Sequence, residues 1–244
     1  DNVGIASYYL QDAWSRLSSL RDSAYILEGG EIFGGGGTPA PQWVDLGLPS
    51  GILWRRYNLG AEKPEELGSY YSWGNLDGHV EGSGYHFTQA VYEDTPGASI
   101  SSDLSLNEDA ARQALGYPCR MPSDDDFVEL YNNCSSEFTS LNGIYGRLFT
   151  SLINGASIFL PACGFYDDTS IIGRQTSGYY WTSTYRSASA ARCFTFGGGS
   201  ISPEGESNRR FGSSIRPVLY TRSRRSVDPP TPEDEPETSS EVDR

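Results

Sequence analysis

The sequence predicts an α+β domain made of many short strands and a few helices. Gly and Pro, 28 and 14 of 244 residues, break the chain too often for a helical bundle. Five Trp, sixteen Tyr and ten Phe within a hydrophobic fraction of 37% are enough for the core of one domain with appendages. Over residues 177–219, large apolar residues (Tyr179, Trp181, Phe194, Phe196, Ile215, Val218) interleave with small or polar ones. Their two-residue period is that of a half-buried strand, with Phe194 and Phe196 on one face and Cys193 and Thr195 on the other.

In chain order, Val3, Ala6, Leu10, Ala13, Leu17, Leu20, Ala24 and Leu27 follow steps of three and four. This heptad stripe over residues 1–28 predicts an amphipathic helix, either packed on its own domain or serving as a stalk that dimerises or trimerises the chain through residues 3–27. Residues 29–42, with four consecutive glycines and then Pro39 and Pro41, form a linker. The domain then runs over residues 43–221. Expected elements are a strand around residues 52–57, a helical turn at 64–67, an aromatic strand at 70–73, a loop-rich stretch at 75–102, and helices at 109–116 and 123–133. A short buried strand over 157–160 ends at Pro161. Ser123 is placed to cap the second helix, with Asp124, Asp125 and Asp126 in the first turn, where the helix dipole favours acids. Capping explains that triplet more economically than calcium. Residues 222–244 are rich in Pro and acid and lack aromatics, so they read as a disordered tail.

The formal net charge of −14 argues against a nucleic-acid partner, which needs a basic stripe. The tail contributes much of it, with seven acids from Asp228 onward against Arg244. Cys119, Cys134, Cys163 and Cys193 lack zinc-ligand spacing; they read as buried free thiols, with one or two disulfides as the alternative. His79 and His86 read as surface-loop residues. No apolar run reaches a membrane span, and no cofactor is called for. A chain beginning at Asp1 reads as a processed or excised piece.

Six strings in order, VDLGLPSGILW (44–54), GAEKPEELGSYYSWGN (60–75), CRMPSDDDFVELYNNC (119–134), SIFLPACGFYD (157–167), SGYYWTST (177–184) and SIRPV (214–218), resemble the Fibrobacter succinogenes major paralogous domain family. The resemblance covers residues 43–219. It implies a C-type-lectin-like fold, shared in outline with formylglycine-generating enzymes. The carboxy-terminal block is similar to variable proteins of diversity-generating retroelements, known from Bacteroidetes and their phages. In those proteins, mutation of template adenines replaces Asn codons with a set lacking Glu, Gln, Lys, Met and Trp. Carried over, the diversified positions are Tyr185, Arg186, Ser187, Ser189, Cys193, Thr195, Gly197, Ser200, Ser202, Gly205, Ser207, Asn208, Arg210, Phe211 and Ser213, all within the permitted set. Glu204 and Glu206 fall outside it.

The resulting expectation is a module that binds a protein or glycan receptor through these residues and Arg192, outside the cell, on a phage tail-fibre tip or a bacterial surface. Tyr185, Arg186, Arg192, Arg210 and Phe211 would be the anchors, with Ser and Gly supplying adaptable contacts. A structural surface lipoprotein is the alternative. Enzyme activity is disfavoured because neither Cys163 nor Cys193 has a neighbouring His or cation cluster in sequence. Calcium-dependent sugar binding lacks its ligand motifs.

Overall fold

The computed structural model describes residues 42–220. The heptad stripe, most of the linker and the acidic tail lie outside the described residues. Those residues form an α+β domain in which short helices accompany four small antiparallel sheets.

The first sheet gathers β1 (Trp43–Asp45), β2 (Ile52–Arg55), β3 (Cys119–Arg120) and β12 (Val218–Tyr220) in the order β1-β2-β12-β3. It joins the two ends of the described chain. The second sheet is the meander β4 (Cys134–Leu141), β5 (Ile144–Ser151) and β6 (Ser157–Pro161). Its first turn is Asn142-Gly143, where both residues adopt positive φ, 51° and 84°, and Leu141 pairs with Ile144. This is the two-residue turn whose twist matches that of its strands. A two-stranded ribbon follows, β7 (Phe165–Asp167) with β8 (Ser170–Ile172). The last sheet is β9 (Ser177–Tyr185), β10 (Ala190–Gly197) and β11 (Ile201–Asn208), with β10 central. Bridges from Tyr180 to Ser214 and from Ser213 to Tyr71 extend it beyond β9.

The helices α1 (Gln89–Glu93), α2 (Ala110–Leu115) and α3 (Asp124–Asn133) are short, and a 3-10 turn spans Pro96–Ser99. Each α-helix starts where a side chain satisfies an otherwise unpaired N–H. Thr88 accepts from Val91 N, Asp109 from Arg112 N, and Ser123 from Asp126 N. Asp126 accepts in return from Ser123 N, completing a capping box. The expected helices over 109–116 and 123–133 are therefore present. The helical turn expected at 64–67 is only a bend and turn, and the strand expected at 70–73 reduces to isolated bridges at Tyr70 and Tyr71.

Two buried clusters lie on opposite faces of the β9–β11 sheet. Tyr180, Phe194 and Phe196 enter the larger one with Phe127, Leu130, Phe149 and Trp54. There the α3 ring Phe127 stacks on Phe194 at 4.4 Å. Trp181, Ala191 and Cys193 enter the smaller cluster with Trp73, Tyr71 and Ile215. The alternation along β10 is thus real, but the face opposite Phe194 is itself buried at Ala191 and Cys193. The face opposite Phe194 does not open to solvent until Thr195. Register shifts between Ala191 and Cys193 on one side, and between Cys193 and Thr195 on the other, mark the change.

Candidate recognition face on the carboxy-terminal sheet

The part of the sheet left uncovered is a row across three strands. Thr195 lies opposite Tyr179 on β9 and opposite Ser202 on β11, so these side chains share a face. Tyr179 continues the row into a ring group on neighbouring segments. Phe165 of β7 sits 4.7 Å from Tyr179 and 4.8 Å from Phe211, all three half-buried. The Arg210 guanidinium lies 4.5 Å from the Phe211 ring centroid. It is fixed there by Nη1 donating to Asp167 Oδ1 at 2.7 Å and to the Phe87 carbonyl at 2.8 Å. A half-exposed aromatic group with a held cation beside it has the composition of an interface anchor.

Buried arginines hold both ends of the sheet, and they do so through main-chain oxygens. At the β9–β10 loop, Arg209 donates to the carbonyls of Ser187 and Ala188 at 3.3 and 3.1 Å. The same side chain donates to Tyr92 Oη and to the Gly97 carbonyl, and lies 4.6 Å over Trp73. At the β10–β11 turn, Arg147 of β5 donates to the carbonyl of Gly197 at 2.6 Å and reaches Gly198 at 3.4 Å. A carbonyl is the same group whatever side chain its residue bears. The two loops are therefore positioned with little dependence on most of the side chains they display, Ser187 excepted, whose Oγ accepts from Ala190 N at 3.1 Å.

The structure distributes the expected site residues unevenly. Thr195, Gly197 and Ser200 lie on or beside the open row together with Ser202, Arg210 and Phe211. Tyr185, Arg186, Ser187 and Ser189 belong to the β9–β10 end. There Arg186 is exposed and pairs with Glu206 at 3.1 Å, while Tyr185 packs its ring 6.1 Å from Trp73. Ser207 is half-buried opposite Ala191. Asn208 accepts from Arg210 N at 3.1 Å, shaping the turn that presents Phe211.

Four expectations are corrected. Cys193 is fully buried in the smaller cluster and displays nothing. Ser213 is equally buried, its main chain bridged to Tyr71, because this segment acts as the neighbour beyond β9. Gly205 is half-buried, and a Cβ there would stand 2.6 Å from the Cys193 carbonyl, so the bulged β11 requires glycine at that point. Arg192 projects to the opposite side, where Nε lies 3.6 Å from Asp124 of α3 and Nη1 donates to the Glu204 carbonyl. Residues that sequence reading missed are Phe165, Tyr179, Arg209 and Arg147. The two-residue period places Tyr179 with the buried set. Phe165, Arg209 and Arg147 carry no local signal that separates them from other aromatic or arginine residues.

All four cysteines are free and buried. Burial pushes the thiols of Cys119 and Cys134 up to about 11, and raises those of Cys163 and Cys193 as well. Such thiols are poor nucleophiles. Among the described residues no group of three or more His, Cys, Asp or Glu is arranged to hold a metal ion. Nor is any described helix long and apolar enough to cross a membrane. No family model, curated protein or solved structure matched the chain.

Proposed function

We propose that this chain is a receptor-binding module. It would present the row Ser202–Thr195–Tyr179, the ring pair Phe165 and Phe211, and the Arg186 loop to a protein or glycan on a cell surface. The single observation that carries the proposal is the clamping of both loops through carbonyl oxygens by Arg209 and Arg147. The backbone is held while Arg186, Ser189, Ser200 and Ser202 stay exposed and make no contact that the fold needs. A surface tolerant of substitution is what a retroelement-diversified protein with a C-type-lectin-like scaffold requires, in keeping with the resemblance to the Fibrobacter succinogenes major paralogous domain family. Display outside the cell, on a phage tail-fibre tip or a bacterial adhesin, follows from that reading. Dimers or trimers formed through residues 3–27 would add avidity. The raised thiols of Cys163 and Cys193 favour binding over thiol chemistry as the role.

The test is binding of labelled full-length protein to Bacteroidetes cells, compared with R186A and F211A. Anchors at an interface centre cost at least about 2 kcal/mol on truncation, roughly thirtyfold in Kd. Loss on that scale with unchanged thermal unfolding supports the face as the contact surface. Unaltered binding by both variants overturns it.

A further inference from the structure

We propose a second ligand site, for one uncharged sugar ring, in the cavity between the loop at residues 82–85 and the rings of Phe87 and Tyr166. The cavity holds about 260 Å³ and is lined by Gly82, Ser83, Gly84, Tyr85, Phe87, Tyr166 and Thr169. It contains none of the recognition-face residues, so it stands or falls independently of the function proposed above.

Its floor is aromatic and fixed. Phe87 and Tyr166 stack at 5.2 Å with 21° between their planes, and Tyr85 stands edge-on to Phe87 at 4.8 Å. Phe87 is held from behind, since a Cβ on Gly212 would approach its ring to 2.6 Å. Tyr85 is backed by His79 at a ring separation of 3.5 Å. The wall therefore needs little ordering when a ligand arrives, which removes one cost of binding.

The polar groups of the lining are hydroxyls. Tyr166 Oη and Thr169 Oγ1 make no hydrogen bond to the described residues, and Ser83 Oγ accepts from Tyr85 N at 3.4 Å, leaving its own proton to donate. Three ionisable pairs lie nearby, with the exposed Asp77 carboxylate outside them. Arg174 pairs with Glu81 at 2.5 Å, His86 with Asp168 at 2.8 Å, and Arg210 with Asp167 at 2.7 Å. An anionic ligand would meet no unpaired arginine among these pairs. An apolar side chain would cover three hydroxyls without giving them partners, at a desolvation cost. A pyranose suits both features: its C–H face covers the rings and its hydroxyls reach those of Ser83, Tyr166 and Thr169.

Titrating the full-length protein with methyl glycosides of glucose, galactose, mannose and N-acetylglucosamine, while following amide resonances, tests this. At least one glycoside is expected to shift Gly82, Gly84 and Thr169 with a Kd in the millimolar range, unchanged by EDTA. Tyr166→Phe keeps the ring and is expected to weaken binding roughly tenfold, the value of one hydrogen bond. Tyr85→Ala should abolish it, with the remaining resonances in place. R186A and F211A should leave it intact. The proposal is overturned if no glycoside moves these amides up to about 50 mM, a concentration that would reveal any millimolar site. It is overturned equally if Y166F and Y85A bind as wild type. Shifts produced by N-acetylphenylalaninamide and by no glycoside would also overturn it, reassigning the cavity to a peptide side chain.

Discussion

Arg209 shows how much one residue can decide here. It is a cation at 1% exposure, with no carboxylate among its hydrogen-bond partners. Its donors are spent on three carbonyls and the Tyr92 hydroxyl, and its plane lies against Trp73 and Tyr185. Six described arginines (Arg120, Arg147, Arg192, Arg209, Arg210 and Arg216) donate to main-chain carbonyls. The planar fork of donors, which lysine lacks, gives a physical reason for seventeen Arg against one Lys in the chain. Replacing Arg209 by Met keeps bulk under Trp73 but strands those carbonyls. Urea unfolding is expected to show a loss of about 3 kcal/mol for R209M. Arg186→Ala, which removes only an exposed pair, should stay within about 0.5 kcal/mol of wild type. Equal stability of R209M and wild type would mean that the loop does not depend on this clamp.

At the scale of elements, the junction of α3 with β10 and β11 carries a titrating group. Burial, opposed by Arg192 and reinforced by Glu204 and Asp125, raises the Asp124 carboxyl from 3.8 to about 6. Its Oδ1 is buried without a partner. The folded protein therefore holds a proton between pH 4 and 6 that the unfolded chain releases, and this group's contribution to stability falls as pH rises through that window. Asp124→Asn removes the dependence. The stability of D124N relative to wild type should rise between pH 4 and pH 7, measured by urea unfolding at each pH. A constant difference would show that Asp124 ionises normally in the folded state. Local signals were legible for α3, since Ser123 and the acids that follow it write a cap directly into the sequence. The hairpin of β4 and β5 was just as legible, from Asn142-Gly143 between two alternating runs, yet a reading led by aromatic content passes over it. The turn at 64–67 failed for a physical reason: Gly60 and Gly68, both at positive φ, fold that loop back so that Ser69 N donates to the Leu59 carbonyl, which leaves no length for a helix.

For the molecule as a whole, the thiols report on integrity of the core. Cys119 closes the first sheet, Cys134 begins β4, Cys163 sits beneath Tyr180 and Asn58, and Cys193 lies in the smaller cluster. A thiol-specific reagent is expected to find none of them in the native protein and all four after unfolding, with a Tm indifferent to reductant. Rapid labelling of even one in the native state would contradict the burial of that region. The same domain-wide packing explains why part of the proposed recognition face was readable in advance and part was not. Period and composition by themselves determined that the chain is α+β, that Phe194, Phe196, Trp181 and Ile215 are interior, and that small polar residues alternate with them, because side-chain direction along a strand follows directly from residue order. Only the tertiary structure decided which non-core positions meet solvent. Cys193 and Ser213 lie under a second cluster, Gly205 meets a neighbouring carbonyl, and Phe165 joins Tyr179 and Phe211 from another sheet. Each of these depends on what packs against a face, and that covering comes from segments far away in the chain.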